Sequence, residues 1–187
     1  MRAHKVSKEL VLIEAARRGS VDAFTELVQD YRERLLRFLL TRCASYADAE
    51  DALQDTFINA YRYLASYNPQ WRFSTWLYSI AIRNAGRLKS SNVMEIGEVR
   101  DDSGDPLAHC MAESERNNLW RSARRLLSEE VFSAMWLRYV EDMSVKDIAA
   151  VLERSSSWTK VNLHRGRRAL EAELGNEPDK TGSEAYG

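Results

Sequence analysis

The sequence predicts an all-α protein with two small helical domains joined by a flexible linker. Its 187 residues include 8 glycines and 3 prolines, so few positions interrupt regular structure. Apolar residues recur at steps of three and four, whereas the strict alternation of a half-buried strand is almost absent. An apolar fraction of 44% is enough for folded cores, and the length admits two small domains.

Residues 8–90 are predicted as the first domain, in which four helices bury one shared core. Gly19 is a good stop for the first helix, and Ser45 or Tyr46 lies near the start of the third. The dipeptide Asn68–Pro69 breaks the chain before the fourth helix. The helical apolar patterns that define these elements span 8–17, 24–39, 49–64 and 74–89.

Residues 91–111 are predicted as the linker, because the chain there is rich in Ser, Asn, Asp and Gly and has little periodicity. Helical pattern returns in a second domain at 112–174. Ser128 and Ser144 are expected to open two of its helices. The tail at 175–187 has no apolar stripe and is predicted to be disordered.

Charge is segregated along the chain, although the formal net charge is only −1. Two segments, 71–94 and 154–170, contain no acidic residue and several arginines and lysines. Acidic residues collect instead at 48–55 and 95–105. This pattern suits a protein that meets DNA with some surfaces and a basic or neutral partner with others.

Other classes of protein are disfavoured by what the sequence does not contain. No run approaches the ~20 apolar residues of a membrane span, the first residues do not resemble a secretory signal, and the two cysteines lack metal-type spacing. A cytoplasmic protein is therefore expected. The histidines are scattered and no Gly-rich phosphate loop occurs, so no catalytic residue, metal site, cofactor or small-molecule substrate is predicted.

Residues 144–170 have the outline of a helix-turn-helix, with a short helix, a tight connection and a longer basic helix. Ala149 suits the crowded place where the two helices cross. Arginine and lysine can neutralise phosphates, and asparagine can pair with an adenine edge. A plain basic helix on a helical bundle explains the same pattern. The candidates on the longer helix are Lys160, Asn162, His164, Arg165, Arg167 and Arg168.

Five aromatic residues fall within a dozen residues of basic, acid-free sequence, at 67, 71, 73, 76 and 78, and aromatics with arginine beside them are typical of proteins that bind single-stranded DNA. Bases stack on aromatic rings while cations meet the phosphates. Trp76 falls on the apolar stripe and is expected in the core. Tyr67, Trp71 and Phe73 lie in or beside the loop after the chain break, although core packing of at least one of them is the safer expectation.

Several motifs resemble the extracytoplasmic-function (ECF) family of RNA polymerase sigma factors. In the first domain these are GSVDAFTELV at 19–28, YRERLLRF at 31–38, DAEDALQDTF at 48–57 and FSTWLYSIA at 73–81, which resemble region two. LSEEVF at 127–132, MSVKDIAAVL at 143–152 and LHRGRRAL at 163–170 resemble region four. The resemblance covers about residues 8–174, and the acidic-Gln motif joined to FSTWL is highly specific.

For the first domain, the resemblance implies that the acidic helix docks on the clamp helices of the polymerase's largest subunit. The loop at 66–73 would capture an unstacked base of the minus-ten element, and the helix after it would follow the same strand. The implied minus-ten residues are Tyr67, Trp71, Arg72, Phe73, Arg83, Asn84 and Arg87. The implied polymerase-binding residues are Asp48, Glu50, Asp51, Gln54 and Asp55.

For the second domain, the resemblance implies binding to the upstream, minus-thirty-five element and contact with the polymerase flap. It adds Arg138, Ser157 and Trp158 to the basic candidates of the last helix. Glu153 stands where the family usually has Gly in the turn. An anti-sigma factor is a further implied partner, besides polymerase core and promoter DNA, and the factor itself performs no chemistry.

Two other functions compete with this interpretation. A helix-turn-helix regulator that never docks on polymerase would explain 144–170, but would leave the acidic helix and the aromatic loop without a role. A helical adaptor that binds only protein would leave both basic segments as solvated surface.

Overall fold

The computed structural model describes residues 2–95 and 115–175, and every regular element within those ranges is helical. The all-α prediction is therefore confirmed for the part of the chain that the structure describes. Residues 96–111 of the predicted linker, 112–114 of the predicted second domain and 176–187 of the predicted tail lie outside the described residues.

The N-terminal half consists of four helices and a short 3-10 turn. Its elements are α1 (Arg2–Arg17), α2 (Val21–Leu40), α3 (Tyr46–Arg62), the 3-10 turn Leu64–Ser66 and α4 (Phe73–Glu95).

The boundaries of the N-terminal helices follow from cap chemistry. Gly19 has φ +95°, a left-handed conformation that glycine adopts without strain, and it ends α1. The hydroxyl of Ser20 accepts from the amide of Ala23 at 3.2 Å at the start of α2. Ser45 does the same for the amide of Asp48 at 3.0 Å, so the start of α3 lies where the sequence indicates.

The apolar stripe of α2 forms the centre of the N-terminal core. Leu35, Phe38 and Leu39 are fully enclosed, and the ring of Phe38 packs against that of Tyr78 at 5.2 Å between centroids. Because Tyr78 lies on α4, this contact joins the first long helix to the last one of this half.

The helix α4 is longer than predicted. The expected boundary between domain and linker was residue 90, but the helix continues to Glu95. The segment Ser90-Ser91-Asn92 is polar, yet polarity alone does not end a helix. No Gly or Pro occurs between Arg87 and Gly97, so nothing in the backbone stops α4 earlier.

The described C-terminal half contains four further helices. They are α5 (Glu115–Leu126), α6 (Glu129–Tyr139), α7 (Val145–Val151) and α8 (Ser156–Gly175). Trp136 is enclosed at their centre, with the ring of Trp120 at 5.1 Å. Gly166 lets α8 approach α6 closely, since a Cβ atom there would lie 3.1 Å from the sulfur of Met135.

The helices α7 and α8 form the predicted helix-turn-helix, joined by residues 152–155. Ala149 is 7% exposed, which agrees with a crowded helix crossing. The amide of Arg154 donates to the carbonyl of Ala149 at 2.9 Å. Glu153 has φ +54°, a left-handed conformation in which glycine is favoured at the end of a helix. The turn is thus closed, but by a residue that is strained there.

Replacing Ser144 by alanine should lower the free energy of unfolding by about 1 kcal/mol. Its hydroxyl accepts from the amide of Asp147 at 3.1 Å and donates to that carboxylate at 2.6 Å, so α7 would lose its N-cap. Ser128→Ala is the matched control, because Ser128 occupies the same position on α6 without a side-chain cap bond. Urea denaturation followed by circular dichroism measures both, and equal losses would contradict the capping role.

Candidate nucleic-acid interface

The helix α3 presents an acidic strip to solvent. Asp51, Gln54 and Asp55 are exposed and lie three and four residues apart, hence on one helix face. Asp48 and Glu50 are half-buried, and Glu50 accepts from the hydroxyl of Tyr46 at 3.2 Å. Of the five predicted polymerase-binding residues, three therefore form one accessible strip.

Ile58 extends this strip and was missed by sequence reasoning. It lies one turn beyond Asp55 and is 54% exposed, unusual for so large an apolar side chain. Its position seven residues after Asp51 places it on the same face. That spacing was a usable signal, since Ile58 does not belong to the buried stripe of α3.

Tyr67 and Phe73 are buried, so neither ring is open to a base in this structure, and their contact with the minus-ten strand stays a prediction. They are 4% and 0% exposed, and their rings meet edge to face at 5.5 Å. The hydroxyl of Tyr67 donates to the carbonyl of Trp71 at 2.7 Å, which fixes the shape of the loop. Burial raises the pKa of Tyr67, so the hydroxyl stays protonated as this donor. Both rings pack under the loop and support its conformation.

Trp71 and Arg72 remain accessible in the same loop, with Trp71 half-buried and Arg72 exposed. A cleft of about 190 Å³ opens beside Trp71. It combines aromatic rings with hydroxyl, amide and guanidinium groups, which suits a flat polar ring such as a base. The N-terminal half lines it with Ser66, Asn68, Trp71, Thr75, Trp76, Ser79 and Arg83.

On α4, Arg83 and Arg87 are exposed, whereas Asn84 is only 4% exposed. The amide of Asn84 donates to the hydroxyl of Thr56 at 3.2 Å and accepts from the amide of Asn59 at 3.2 Å. The polar atoms of Asn84 therefore hold α4 against α3 in this structure, and its contact with DNA stays a prediction. Its place on the apolar stripe, three residues after Ala81, was a sign of this role.

In the C-terminal half, α8 carries a row of exposed, mainly cationic residues. Asn162 is half-buried, and its side-chain amide donates to the carbonyl of Trp158 at 2.9 Å. The amide group that was predicted to pair with a base is therefore already hydrogen-bonded. Trp158 packs on the core, and the guanidinium of Arg154 lies 5.7 Å from its ring centroid. The predicted residues that are exposed on α8 are Ser157, Lys160, His164, Arg165, Arg167 and Arg168.

Arg138 lies at the end of α6, with its side chain at the surface. One guanidinium nitrogen donates to the carbonyl of Met143 at 2.8 Å and so braces the connection to α7. A structural role thus accompanies the predicted one, and the remaining donors of this guanidinium can serve a phosphate.

Within residues 2–95 and 115–175, no cluster of three metal-ligating side chains occurs. None of the described helices is long and apolar enough to cross a membrane.

Two sequence families match the chain in the order of its two halves. Sigma-70 region 2 matches residues 27–92, which cover α2 to most of α4. Sigma-70 region 4 matches residues 120–170, which run from within α5 to within α8 and include all of α6 and α7.

Curated relatives span nearly the whole chain. The ECF RNA polymerase sigma-E factor of Salmonella typhimurium LT2 is 30% identical over 176 residues, covering 86% of this chain and 91% of the relative. The ECF RNA polymerase sigma factor SigW of Bacillus subtilis is 26% identical over 176 residues, covering 87% and 94%.

Solved structures share the fold. CnrH, solved in complex with the cytosolic domain of CnrY, superposes with a TM-score of 0.67 at 22% identity over 91% of this chain and 99% of that one. The sigma factor RpoE of Bartonella quintana, solved with the anti-sigma factor NepR, gives 0.64 at 19% identity over 84% and 100%.

Sigma factors of this type are not enzymes, and their contribution to transcription is to bring the polymerase to its start site. Two findings decide the family of this chain: the 30% identity covers 86% of this chain and 91% of the relative, and regions 2 and 4 match its two helical halves in order. The chain belongs to the ECF family of RNA polymerase sigma factors, which direct RNA polymerase to promoters.

Proposed function

We propose that the two halves of this sigma factor divide promoter recognition between them. Residues 8–90 bind polymerase core and the minus-ten element, 112–174 bind the upstream element, and 91–111 link the two. The observation that carries this proposal is that one small domain holds an exposed acidic strip on α3 and also supplies Trp71, Arg83 and most of the other residues that line the cleft.

The acidic strip of α3 is the proposed docking surface for the clamp helices of polymerase. Asp51, Gln54 and Asp55 supply charge and polarity that complement a basic target, and charge complementarity raises association rate and specificity. Ile58 supplies an apolar contact beside them, which is where interfaces gain desolvation energy. Asp48 and Glu50 support the strip from its half-buried edge.

The cleft beside Trp71 is the proposed site for an unstacked base of the minus-ten element. Trp71 offers the stacking ring, while Arg72, Arg83 and Arg87 can meet the phosphates of the same strand. Tyr67 and Phe73 hold the loop in shape, and Asn84 fixes the helix that carries the arginines. The region-two domain therefore supplies both the stacking ring and the cations for one single strand of DNA.

The exposed row on α8 is the proposed surface for the upstream element. Lys160, Arg165, Arg167 and Arg168 supply phosphate neutralisation, which gives affinity without sequence preference. Ser157 and His164 are the exposed polar side chains available for base edges. Contact of the same domain with the polymerase flap completes the proposed assembly.

An anti-sigma factor is the proposed inhibitory partner. Two proteins of the same fold, CnrH and RpoE, were solved as complexes, the second with an anti-sigma factor. Because promoters and polymerase are in the cytoplasm of a bacterial cell, we propose that the chain acts there.

Purified chain with bacterial core polymerase should start transcription at discrete sites in a run-off assay on a genomic promoter library. Core polymerase alone is the control and should give no such transcripts. Tight binding to duplex DNA with undetectable core binding would favour a regulator that acts without polymerase. If the chain neither starts transcription nor binds duplex DNA, a protein-binding adaptor would be favoured.

Reversing charge on the acidic strip, with Asp51→Lys and Asp55→Lys together, should weaken core binding at least about tenfold, or ~1.4 kcal/mol. The two introduced lysines would then face a basic target and be repelled by it. Competition titration against a labelled sigma factor measures the affinity. Glu14→Lys is the control, since Glu14 is an exposed acid on α1. Unchanged affinity of the double variant would remove α3 from the interface.

Replacing Trp71 by alanine should slow promoter opening at least fivefold, because loss of base stacking costs about 1–3 kcal/mol. Binding to closed duplex should change less, since the base is not yet unstacked. Stopped-flow fluorescence of a base analogue in the minus-ten element measures opening. Trp71→Phe keeps a ring and should recover most of the rate, whereas equal effects on binding and opening would indicate a packing role.

A further inference from the structure

The proposed minus-ten surface is already occupied by the other half of the same chain. The guanidinium of Arg83 pairs with the carboxylate of Glu153, with Nη2 and Nε at 3.0 and 3.2 Å from one carboxylate oxygen. The ammonium of Lys146 lies 4.9 Å from the ring centroid of Trp71. Ala150 of α7 closes one side of the cleft beside Trp71.

A buried hydrogen bond fixes α7 in this position. The hydroxyl of Thr75 on α4 donates to the carboxylate of Asp147 on α7 at 2.9 Å, and Thr75 is only 3% exposed. The same carboxylate accepts from Ser144, the N-cap of α7. The cap of the short helix and its attachment to α4 therefore share one side chain.

A second attachment lies at the loop between α6 and α7. The side chain of Glu141 is 1% exposed and pairs with Arg34 of α2, whose Nε lies 2.9 Å from the carboxylate. Burial raises the pKa of Tyr78 well above its ordinary value, and the charge of Glu141 adds to the rise. Glu141 is thus inserted among residues of the N-terminal half.

A third attachment joins α2 to α5 and α6. Arg42 donates to the hydroxyl of Ser133 at 2.5 Å and pairs with Glu129 at 3.1 Å. Arg124 donates to the carbonyl of Leu40 at 3.1 Å. The contact between the halves thus extends from the start of α4 to the end of α2.

Glu153 has an unusual place in this contact. Its left-handed backbone is one in which glycine is favoured, so a carboxylate there is held against a local preference. That carboxylate engages Nε and Nη2 of Arg83, the donors that a phosphate of the minus-ten strand would need if Arg83 contacts that strand. A carboxylate and a phosphate compete for a guanidinium because both accept its paired donors.

We propose that the region-four half of this chain closes its own minus-ten surface, with Glu153 standing in for a strand phosphate on Arg83 and Lys146 covering Trp71. This proposal rests on the assignment of Arg83 and Trp71 to the minus-ten strand. The acidic strip of α3 stays exposed in the closed form, as do the cations of α8. Polymerase can therefore dock before the single strand does, and α7 must leave α4 for the strand to bind.

The experiment that tests this proposal compares full-length Glu153→Gln with the wild-type chain and with Glu130→Gln. Glu130 pairs with Arg154 at 2.5 Å within the C-terminal half and is 49% exposed, so its variant removes the same charge and breaks no ion pair between the halves. The first probe is a fluorescein-labelled oligonucleotide with the minus-ten strand of a promoter found by run-off. The second is duplex DNA with the upstream element of that promoter.

Glu153→Gln should bind the single strand about two- to fivefold more tightly, the range for one exposed ion pair. Its affinity for the duplex probe should not change, and Glu130→Gln should match the wild type on both probes. Equal single-strand affinity of Glu153→Gln and wild type would overturn the proposal. An equal gain in Glu130→Gln would also overturn it, because net charge alone would then explain the effect.

Two further measurements separate this proposal from the function on which it rests. Small-angle X-ray scattering of the free chain should show a larger radius of gyration for Glu153→Gln, and a larger one still when Arg34→Gln is added. A wild-type scattering profile that does not fit the closed structure would overturn closure. Arg83→Gln is compared in the Glu153→Gln background, where the pair with Glu153 is already weakened. Unchanged single-strand affinity there means that the minus-ten role of Arg83 fails, whereas the scattering result still decides whether the halves are closed.

Discussion

The packing of α4 is the constraint on which the rest of the structure depends. Leu77, Tyr78 and Ala81 are fully enclosed, so one face of this helix belongs to the N-terminal core. Asn84 adds hydrogen bonds to α3 on the same face. With that face committed, Arg83 and Arg87 have to point outward, and the loop before the helix has to lie at the surface. The nucleic-acid surface is thus a consequence of how the core is filled.

Much of the fold follows from local signals in the sequence. Ser45, Ser128 and Ser144 each precede a helix, and Gly19 ends one, because caps and stops depend on a few neighbouring residues. The end of α4 was misjudged because polar residues without Gly or Pro can continue a helix. Local chemistry therefore located the helices better than it located the linker.

The candidate site was harder to predict, because tertiary burial decides which aromatic and polar groups reach solvent. Tyr67 and Phe73 have loop-like sequence surroundings, yet their rings fill the space beneath the loop. Residue type alone misleads at two positions: the polar side chain of Asn84 is buried, whereas the apolar side chain of Ile58 is exposed. The pairing of Arg83 with Glu153 joins residues 70 positions apart, and no periodicity or spacing in the sequence indicates it.

The close approach of α8 to α6 at Gly166 has a consequence for how region four would evolve. The side chains that face outward on α8 supply chemistry, but the angle at which they are offered depends on a contact on the opposite side of the helix. A methyl group at position 166 would lie 3.1 Å from the sulfur of Met135, so that either this side chain or α8 would have to shift by a few tenths of an ångström. A substitution on the hidden side of α8 can thus act on how the helix is seated, with every outward residue left as it is.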